Sequence, residues 1–383
     1  MDRRTFAGLA ASSLVCSPGL ISAQQPRHVT IIGAGAAGLT AAYHLTRTGV
    51  QVHILEASPS WGGRLKRLTG FADVPLDLGA EWIHDDPKIL GRILDQGETD
   101  LGVATINYQP QTYQFWNNGK LKNFNALRHG YEEVKFFDTT WYGFFETFVL
   151  PAVREKIAVG AAVSQISKQG SRVSVRLTDG RTLDTDKVLV TVPLSVLQRD
   201  QIAFQDGLAP HSLNALQDIG FGSGFKVFLK FSERFYPDIL FEGSRASVLA
   251  NTWSEKIYYD AAFGKPTSQN ILGLFTVSDE PLGRVSLDDG ALLQDVLAEL
   301  TEIFGSVVRE AFFDGVVQNW SRERHIMGSY SMENYGNDDI IEILAPVKGR
   351  VFFAGEALGQ DDQSTVQGAA FSAKRAVEQM TVA

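Results

Sequence analysis

The sequence predicts an α/β protein assembled around a parallel β-α-β unit, with a second unit of mixed helix and strand inserted into it. Three stretches carry this prediction. Val29 to Ile32 is a short, β-branched, apolar run, followed by Gly33-Ala34-Gly35-Ala36-Ala37-Gly38 and a helical run that ends at Gly49. Lys187 to Val192 is a second buried strand, closed by Pro193. Val351-Phe352-Phe353 is a third, followed by Ala354-Gly355-Glu356 and a helix from Val366 to Met380. The first and last of these stretches stand at opposite ends of the sequence, so the domain they build is discontinuous.

Each part of the first stretch has a physical reason. Gly33 permits a tight turn, Gly35 lets the backbone approach a pyrophosphate, and Gly38 lets helix and strand pack closely. The helix that opens near Ala37 points its free N–H groups and positive dipole end at the same place. Val50 to Leu55 is the second strand of the unit, and Glu56, with Ala57 after it, stands where an acid can accept hydrogen bonds from ribose hydroxyls. Strand, G-x-G-x-x-G, helix, strand and acid in this order are the signature of a Rossmann-like dinucleotide site.

Composition sets broad limits. The chain has 383 residues, 44% hydrophobic and 21% charged, which suits a globular protein of about two domains. A net charge of -9 argues against a nucleic-acid partner and agrees with a cationic small-molecule substrate. The single cysteine, Cys16, excludes an intrachain disulfide and a cysteine metal site, and the seven histidines show no ligand spacing, so no metal is expected. Residues 1–23 read as a targeting segment. Arg3-Arg4-Thr5-Phe6 has the twin-arginine form, Ala7 to Leu20 is a small apolar core too short to span a bilayer, and Ile21-Ser22-Ala23 is a cleavage site. The expectation is a protein handed folded to the twin-arginine (Tat) translocase and delivered to the bacterial periplasm, or secreted, without stable membrane insertion.

The inserted unit is less regular. Asp85 to Pro151 is rich in aromatics and shows little alternation, which predicts a mainly helical lobe. Val163–Ile166, Val173–Leu177 and Thr182–Leu183 are short strands, the last two joined by an Asp179-Gly180 hairpin. Phe225, Val227, Leu229 and Phe231 alternate onto one face of a strand, with Lys226, Phe228 and Lys230 on the other. Asp288 to Phe304 is an amphipathic helix. Ser364 and Gln367 have capping-box spacing ahead of the helix that starts at Val366.

Further motifs resemble those of FAD-dependent amine oxidases, the group of monoamine oxidases, polyamine oxidases, lysine-specific histone demethylases and L-amino acid oxidases. Gly62-Gly63-Arg64 resembles the G-G-R extension after the ribose acid. Asp77-Leu78-Gly79-Ala80-Glu81-Trp82-Ile83-His84 resembles the stretch that passes near the flavin, and the segment from Thr191 to Leu197 resembles T-x-P-L-x-V-L. The last strand and helix resemble the F-A-G-E and T-V-x-G-A signature. The resemblance implies a Rossmann-like FAD-binding domain (residues 28–84, 152–204 and 328–383) and an α+β substrate domain (85–151 and 205–327). It implies cofactor contacts at Gly33, Gly35, Ala37, Gly38, Glu56, Ala57, Gly63, Arg64, Gly79, Ala80, Glu81, Trp82, Val163, Gly355, Glu356, Thr365 and Val366.

Three residues resemble the family's catalytic positions. Lys226 aligns with the lysine that hydrogen-bonds a water at flavin N5. Tyr330, in Gly328-Ser329-Tyr330-Ser331, matches one wall of the aromatic cage. Thr365 stands where several members carry the second cage tyrosine. Ser329 replaces the cysteine that bonds flavin in monoamine oxidases, which implies non-covalent FAD. The implied activity is transfer of hydride from a carbon next to nitrogen to flavin N5, followed by imine hydrolysis and reduction of O2 to hydrogen peroxide. An L-amino acid oxidase, for which Arg322 and Arg324 are the candidate carboxylate partners, and a flavin-binding protein without oxidase activity are the alternatives.

Overall fold

The structure is a computed structural model; it describes residues 27–124, 133–242, 256–278, 283–332 and 337–382. The predicted export segment lies outside the described residues. The two ends of the described chain meet in a five-stranded, all-parallel sheet in the order Ile157–Ala158, Gln51–Leu55, His28–Ile32, Lys187–Val190, Val351–Phe353. A parallel sheet has both faces covered, which is why its strands read as continuous apolar runs. On one face the Ala36–Arg47 and Val366–Val382 helices pack together through Leu39, Ala42, Ala370 and Ala373, all buried. On the other, Ile32, Val188, Val190 and Phe353 pack against the four-stranded sheet that contains Val163–Gln169 and Arg172–Leu177.

The second unit is organised by a seven-stranded sheet in the order Phe312–Asn319, Ser223–Phe231, Asn270–Ser278, Lys256–Asp260, Ile239–Glu242, Tyr113–Asn117, Lys120–Asn123. One face takes Phe225, Val227, Leu229 and Phe231 against Leu292, Val296, Leu297 and Leu300 of the Asp289–Phe304 helix. Asp288 caps that helix through the N–H of Ala291 at 2.8 Å. Burying each of those leucines contributes about 1.5–3 kcal/mol. The opposite face is not half-polar, as alternation suggests; Phe228 and Lys226 are buried as fully as their neighbours.

Two expectations are corrected. Among the described residues, 85–151 are not mainly helical. They supply the strands Thr105–Tyr108, Tyr113–Asn117, Lys120–Asn123 and Glu133–Phe136 and only short helices, Ile89–Ile93, Trp141–Phe148 and Leu150–Val153 among them. Those helices bury Ile93, Trp141, Phe144, Phe145 and Val153 in the same core as the Ala36–Arg47 helix. The capping box at Ser364 and Gln367 is also not formed. The cap is Thr365, whose Oγ1 accepts the N–H of Gly368 at 3.0 Å, while Ser364 donates to the carbonyl of Ser331.

Candidate active site

The Gly33-to-Gly38 turn is fixed by its neighbours. Gly33 has φ +109, and its N–H reaches the carbonyl of Leu55 at 2.8 Å, so the turn is tied to the second strand. A Cβ on Gly38 would lie 2.0 Å from the carbonyl oxygen of Gly33, so Gly38 is a packing residue and does not face open space. Gly35 differs: a Cβ there would meet no protein atom closer than 3.8 Å. Gly62 donates to the carbonyl of Ala34 at 2.8 Å and forms a bridge with Gly35, which brings the Gly62-Gly63-Arg64 turn alongside the first.

Arg64 then crosses to the far end of the sequence. Its guanidinium donates to the Ser329 carbonyl at 2.8 Å and to Glu356 at 2.9 Å. Glu356 is buried and also accepts from the Ser331 hydroxyl at 2.6 Å. Tyr330 is set between them, because its carbonyl accepts the N–H of Gly222 at 2.9 Å and Phe221 bridges Ser331. Glu56 accepts the N–H groups of Ala34 at 2.7 Å and Ser58 at 2.8 Å. Each of its oxygens keeps a second lone pair for an outside donor.

These pieces surround one cavity of about 610 Å3. Of the residues singled out from the sequence, Gly33, Gly35, Ala37, Glu56, Ala57, Gly63, Arg64, Gly79, Ala80, Val163, Lys226, Tyr330, Gly355, Glu356, Thr365 and Val366 line it. Gly38, Glu81 and Trp82 do not; they lie behind the wall. Two side chains that do line it are engaged elsewhere. The Thr365 hydroxyl caps the last helix and donates to the Asp362 carbonyl at 2.7 Å, so it contributes no free catalytic group. The Lys226 ammonium donates to the carbonyls of Asp77 at 2.8 Å and Gly79 at 3.1 Å and to Glu81 at 2.6 Å. Three donors meet three acceptors within the protein, so in this geometry no Lys226 N–H is left for a water in the cavity.

Behind Lys226 lies a buried charge cluster that sequence reasoning missed. Glu81 bridges two lysines, each 2.6 Å away: Lys226 on one oxygen and Lys135 on the other. Lys135 is fully buried, with its ammonium 4.8 Å from the ring centre of Trp82, 5.0 Å from Tyr108 and 5.2 Å from Tyr259. Such faces stabilise a cation by quadrupole attraction. Burial opposes the charge on Glu81, but Lys135 and Lys226 outweigh it and hold the carboxyl well below its ordinary range. Asp77 goes the other way: burial first, then the negative Glu81, push its carboxyl well up. The one sequence signal was an acid inside the otherwise apolar Leu78-to-Ile83 run, since a buried carboxylate requires a partner.

The arrangement defines a class. A glycine turn at a helix N-terminus, an acid at the end of the second strand and a cavity running from both to a buried lysine describe an oxidoreductase built on a Rossmann-like domain, with a cavity that would suit a dinucleotide cofactor. The lining fits such a group. Gly63 (φ +57) and Gly355 (φ +156) face it, and a Cβ on Gly355 would meet nothing within 4 Å.

Comparison with known proteins gives the family. The model for flavin containing amine oxidoreductases matches residues 151–381, and one for NAD(P)-binding Rossmann-like domains matches residues 31–96. The first covers more than half of the chain, which therefore belongs to the flavin-containing amine oxidoreductase family. Lysine-specific histone demethylase 2 of Homo sapiens is 26% identical over 91% of this chain and 53% of its own length. Polyamine oxidase 3 of Oryza sativa subsp. japonica is 25% identical over 91% of this chain and 88% of its own. The chain thus spans about half the length of the histone demethylases it matches. Cyclohexylamine oxidase from Brevibacterium oxydans shares the fold, with a TM-score of 0.75 at 16% identity over 93% of this chain and 99% of that one.

Proposed function

We propose that this protein is an amine oxidase that binds FAD non-covalently, with dioxygen as acceptor. The observation that carries the reading is the single cavity, walled at once by the Gly33–Gly35 turn, the Gly63-Arg64 turn, the Lys226–Tyr330 face and the start of the last helix. Bound flavin would supply the two-electron chemistry, taking hydride from a carbon next to nitrogen and delivering the electrons to dioxygen. The chain's own residues do the rest. Val366, at the cavity wall, opens a 17-residue helix whose N-terminal N–H groups and dipole favour negative charge. Tyr330 offers a ring to the substrate amine. Lys226 keeps a cation in the wall. Ser329, buried and donating to the Gly222 carbonyl at 2.9 Å, supplies no thiol for a covalent link.

A second reading has its own support. Arg324 lines the cavity and, among the described residues, makes no ion pair, whereas Arg322 is held by Asp289 at 3.2 Å and the Leu287 carbonyl at 3.0 Å. A carboxylate-bearing substrate, as in an L-amino acid oxidase, would find its partner in Arg324.

The test is the visible spectrum of the purified protein, followed anaerobically as primary amines, polyamines and L-amino acids are added in turn. Flavin bands that bleach with amines support the first reading; bleaching only with amino acids, abolished by Arg324→Met, selects the second. Flavin bands that no substrate bleaches leave a flavin-binding protein without oxidase activity. Lys226→Met is expected to slow reoxidation by dioxygen. The localisation proposed is the bacterial periplasm, or secretion, after folded export; replacing Arg3 and Arg4 by lysine should retain the protein inside the cell. No described helix is long and apolar enough to cross a membrane.

A further inference from the structure

We propose that Glu81 and Lys135, neither of which touches the cavity, form a charge pair that sets, through Lys226, the reduction potential of the cofactor. The inference rests on the flavin reading above. Its starting point is that stability does not explain the cluster. Replacing a buried ion pair or triad by apolar side chains of similar volume is often neutral or stabilising, so a structural plug at this position calls for no charge. Here three charged side chains, Glu81, Lys135 and Lys226, lie at most 5% exposed with Glu81 between the two lysines, and only Lys226 reaches the cavity.

The geometry fixes the sign of each contribution. Lys226 is locked by the Glu81 carboxylate and by the carbonyls of Asp77 and Gly79, the last of which belongs to a cavity-lining residue. It therefore acts on the cofactor as a stationary cation, partly neutralised by Glu81 at 2.6 Å. Lys135 partly neutralises Glu81 in turn from 2.6 Å on its far side. Two cations and one anion leave the trio with one positive charge. Tyr259 hydrogen-bonds Glu81 as a neutral phenol. The Asp77 carboxyl, raised by burial and by the negative Glu81, accepts from the Trp141 N–H at 3.2 Å. Lys265 faces the cluster from the side and donates to the Phe136 carbonyl at 2.9 Å. Reduced flavin carries the added negative charge, so each positive charge behind the wall favours the reduced form and each negative charge favours the oxidised form.

The experiment is the midpoint potential of FAD bound to the full-length protein, measured by dye equilibration without any amine substrate. Glu81→Gln removes a negative charge and should shift the potential upward. Lys135→Met removes a positive charge and should shift it downward. The double variant leaves the trio's net charge unchanged and should return most of the way to the wild-type value, stopping slightly above it because Glu81 is nearer the cavity than Lys135. A structural role gives no reason for opposite shifts that largely offset each other. Shifts of one sign, or no shift with FAD bound, overturn the proposal while leaving the proposed function intact. Should Glu81→Gln alone fail to fold, Lys135→Met and the double variant decide: a fall in the first without recovery in the second overturns it. Failure of the wild-type protein to bind FAD removes the functional reading and this inference with it.

Discussion

Two glycines of one turn should fail in opposite ways when replaced by alanine. Gly35 has φ -82 and ψ -171, a conformation any residue adopts, and its added Cβ would meet nothing of the protein closer than 3.8 Å. Gly35→Ala should therefore change the apoprotein's stability by less than about 1 kcal/mol, the less flexible unfolded chain being offset by alanine's poorer fit at the helix N-cap. The new methyl lies on the cavity wall, where the pyrophosphate must approach. Loss of that approach should weaken FAD binding at least tenfold, which is about 1.4 kcal/mol. Gly38 is the reverse. A Cβ at 2.0 Å from the Gly33 carbonyl oxygen and 3.0 Å from the Thr191 hydroxyl requires the Ala36–Arg47 helix to move away from the first strand by about 1 Å. Overpacking of this kind costs about 1–3 kcal/mol, against which the better helix propensity of alanine returns up to ~1 kcal/mol. Denaturant unfolding of the apoproteins, with FAD affinity measured by quenching of flavin fluorescence, separates the two. A Gly35→Ala protein that binds FAD like wild type would show that this turn does not face the phosphates. A Gly38→Ala protein that unfolds at the wild-type midpoint would show that the helix does not sit where the structure has it.

Other outcomes follow from single contacts. Arg64→Met removes the guanidinium that joins the Gly63 turn to Ser329 and Glu356 and leaves a buried carboxylate short of its partner; unfolding should come about 2 kcal/mol sooner, read as a lowered urea midpoint. Thr365→Val should cost about 1 kcal/mol through loss of the cap on the last helix, and Thr365→Ser should restore it, both by thermal melts. Burial, with Lys135 next, lowers Lys265 from 10.5 to about 8. Between those two values the unfolded chain binds the extra proton, so the contribution of Lys265 makes stability rise with pH. The stability gained by Lys265→Met over wild type should accordingly be largest below pH ~8 and shrink by on the order of 3 kcal/mol by pH ~10.5. A pH-independent difference would show that Lys265 is not held in a charge-disfavouring site.

The parts of the fold that could be read from sequence are those whose signal is local. The strand, turn and helix from His28 to Arg47 and the Val351–Phe353 strand with its following helix announce themselves within a few residues. The stretch from Asp85 to Pro151 holds one local hairpin, Tyr113–Asn117 against Lys120–Asn123 across Asn118-Gly119, whose signal was overlooked; its other strands find partners far off in the chain. Tyr113–Asn117 runs parallel to Ile239–Glu242, and Glu133–Phe136 lies between Trp82–Ile83 and Thr105–Tyr108. Aromatics buried on several sides lose the alternation that marks a strand with one wet face. At the site, Gly33, Gly35, Gly63, Gly79, Gly355 and Arg64 lie on the cavity wall and Gly38 behind it, and sequence spacing could not tell which way side chains turn. Glu81 is drawn behind the wall by Lys135, a lysine that no motif distinguishes. Thr365 turns its hydroxyl onto its own helix because Gly368 presents an unpaired N–H one turn on.

The meeting of the chain's two ends in one sheet also bears on synthesis. The Ala36–Arg47 helix has as its main packing partner the helix at residues 366–382, and the Lys187–Val190 strand has Val351–Phe353 as one of its two neighbours. A ribosome must therefore reach residue 382 before the Ala36–Arg47 helix can meet this partner. Until then Leu39, Ala42 and their neighbours stay exposed to chaperones, or to other nascent chains. The contacts that close the domain are also among the most distant in sequence, which makes this a slow final step. The cofactor cradle, drawing its walls from both ends, can come into existence only at that last moment.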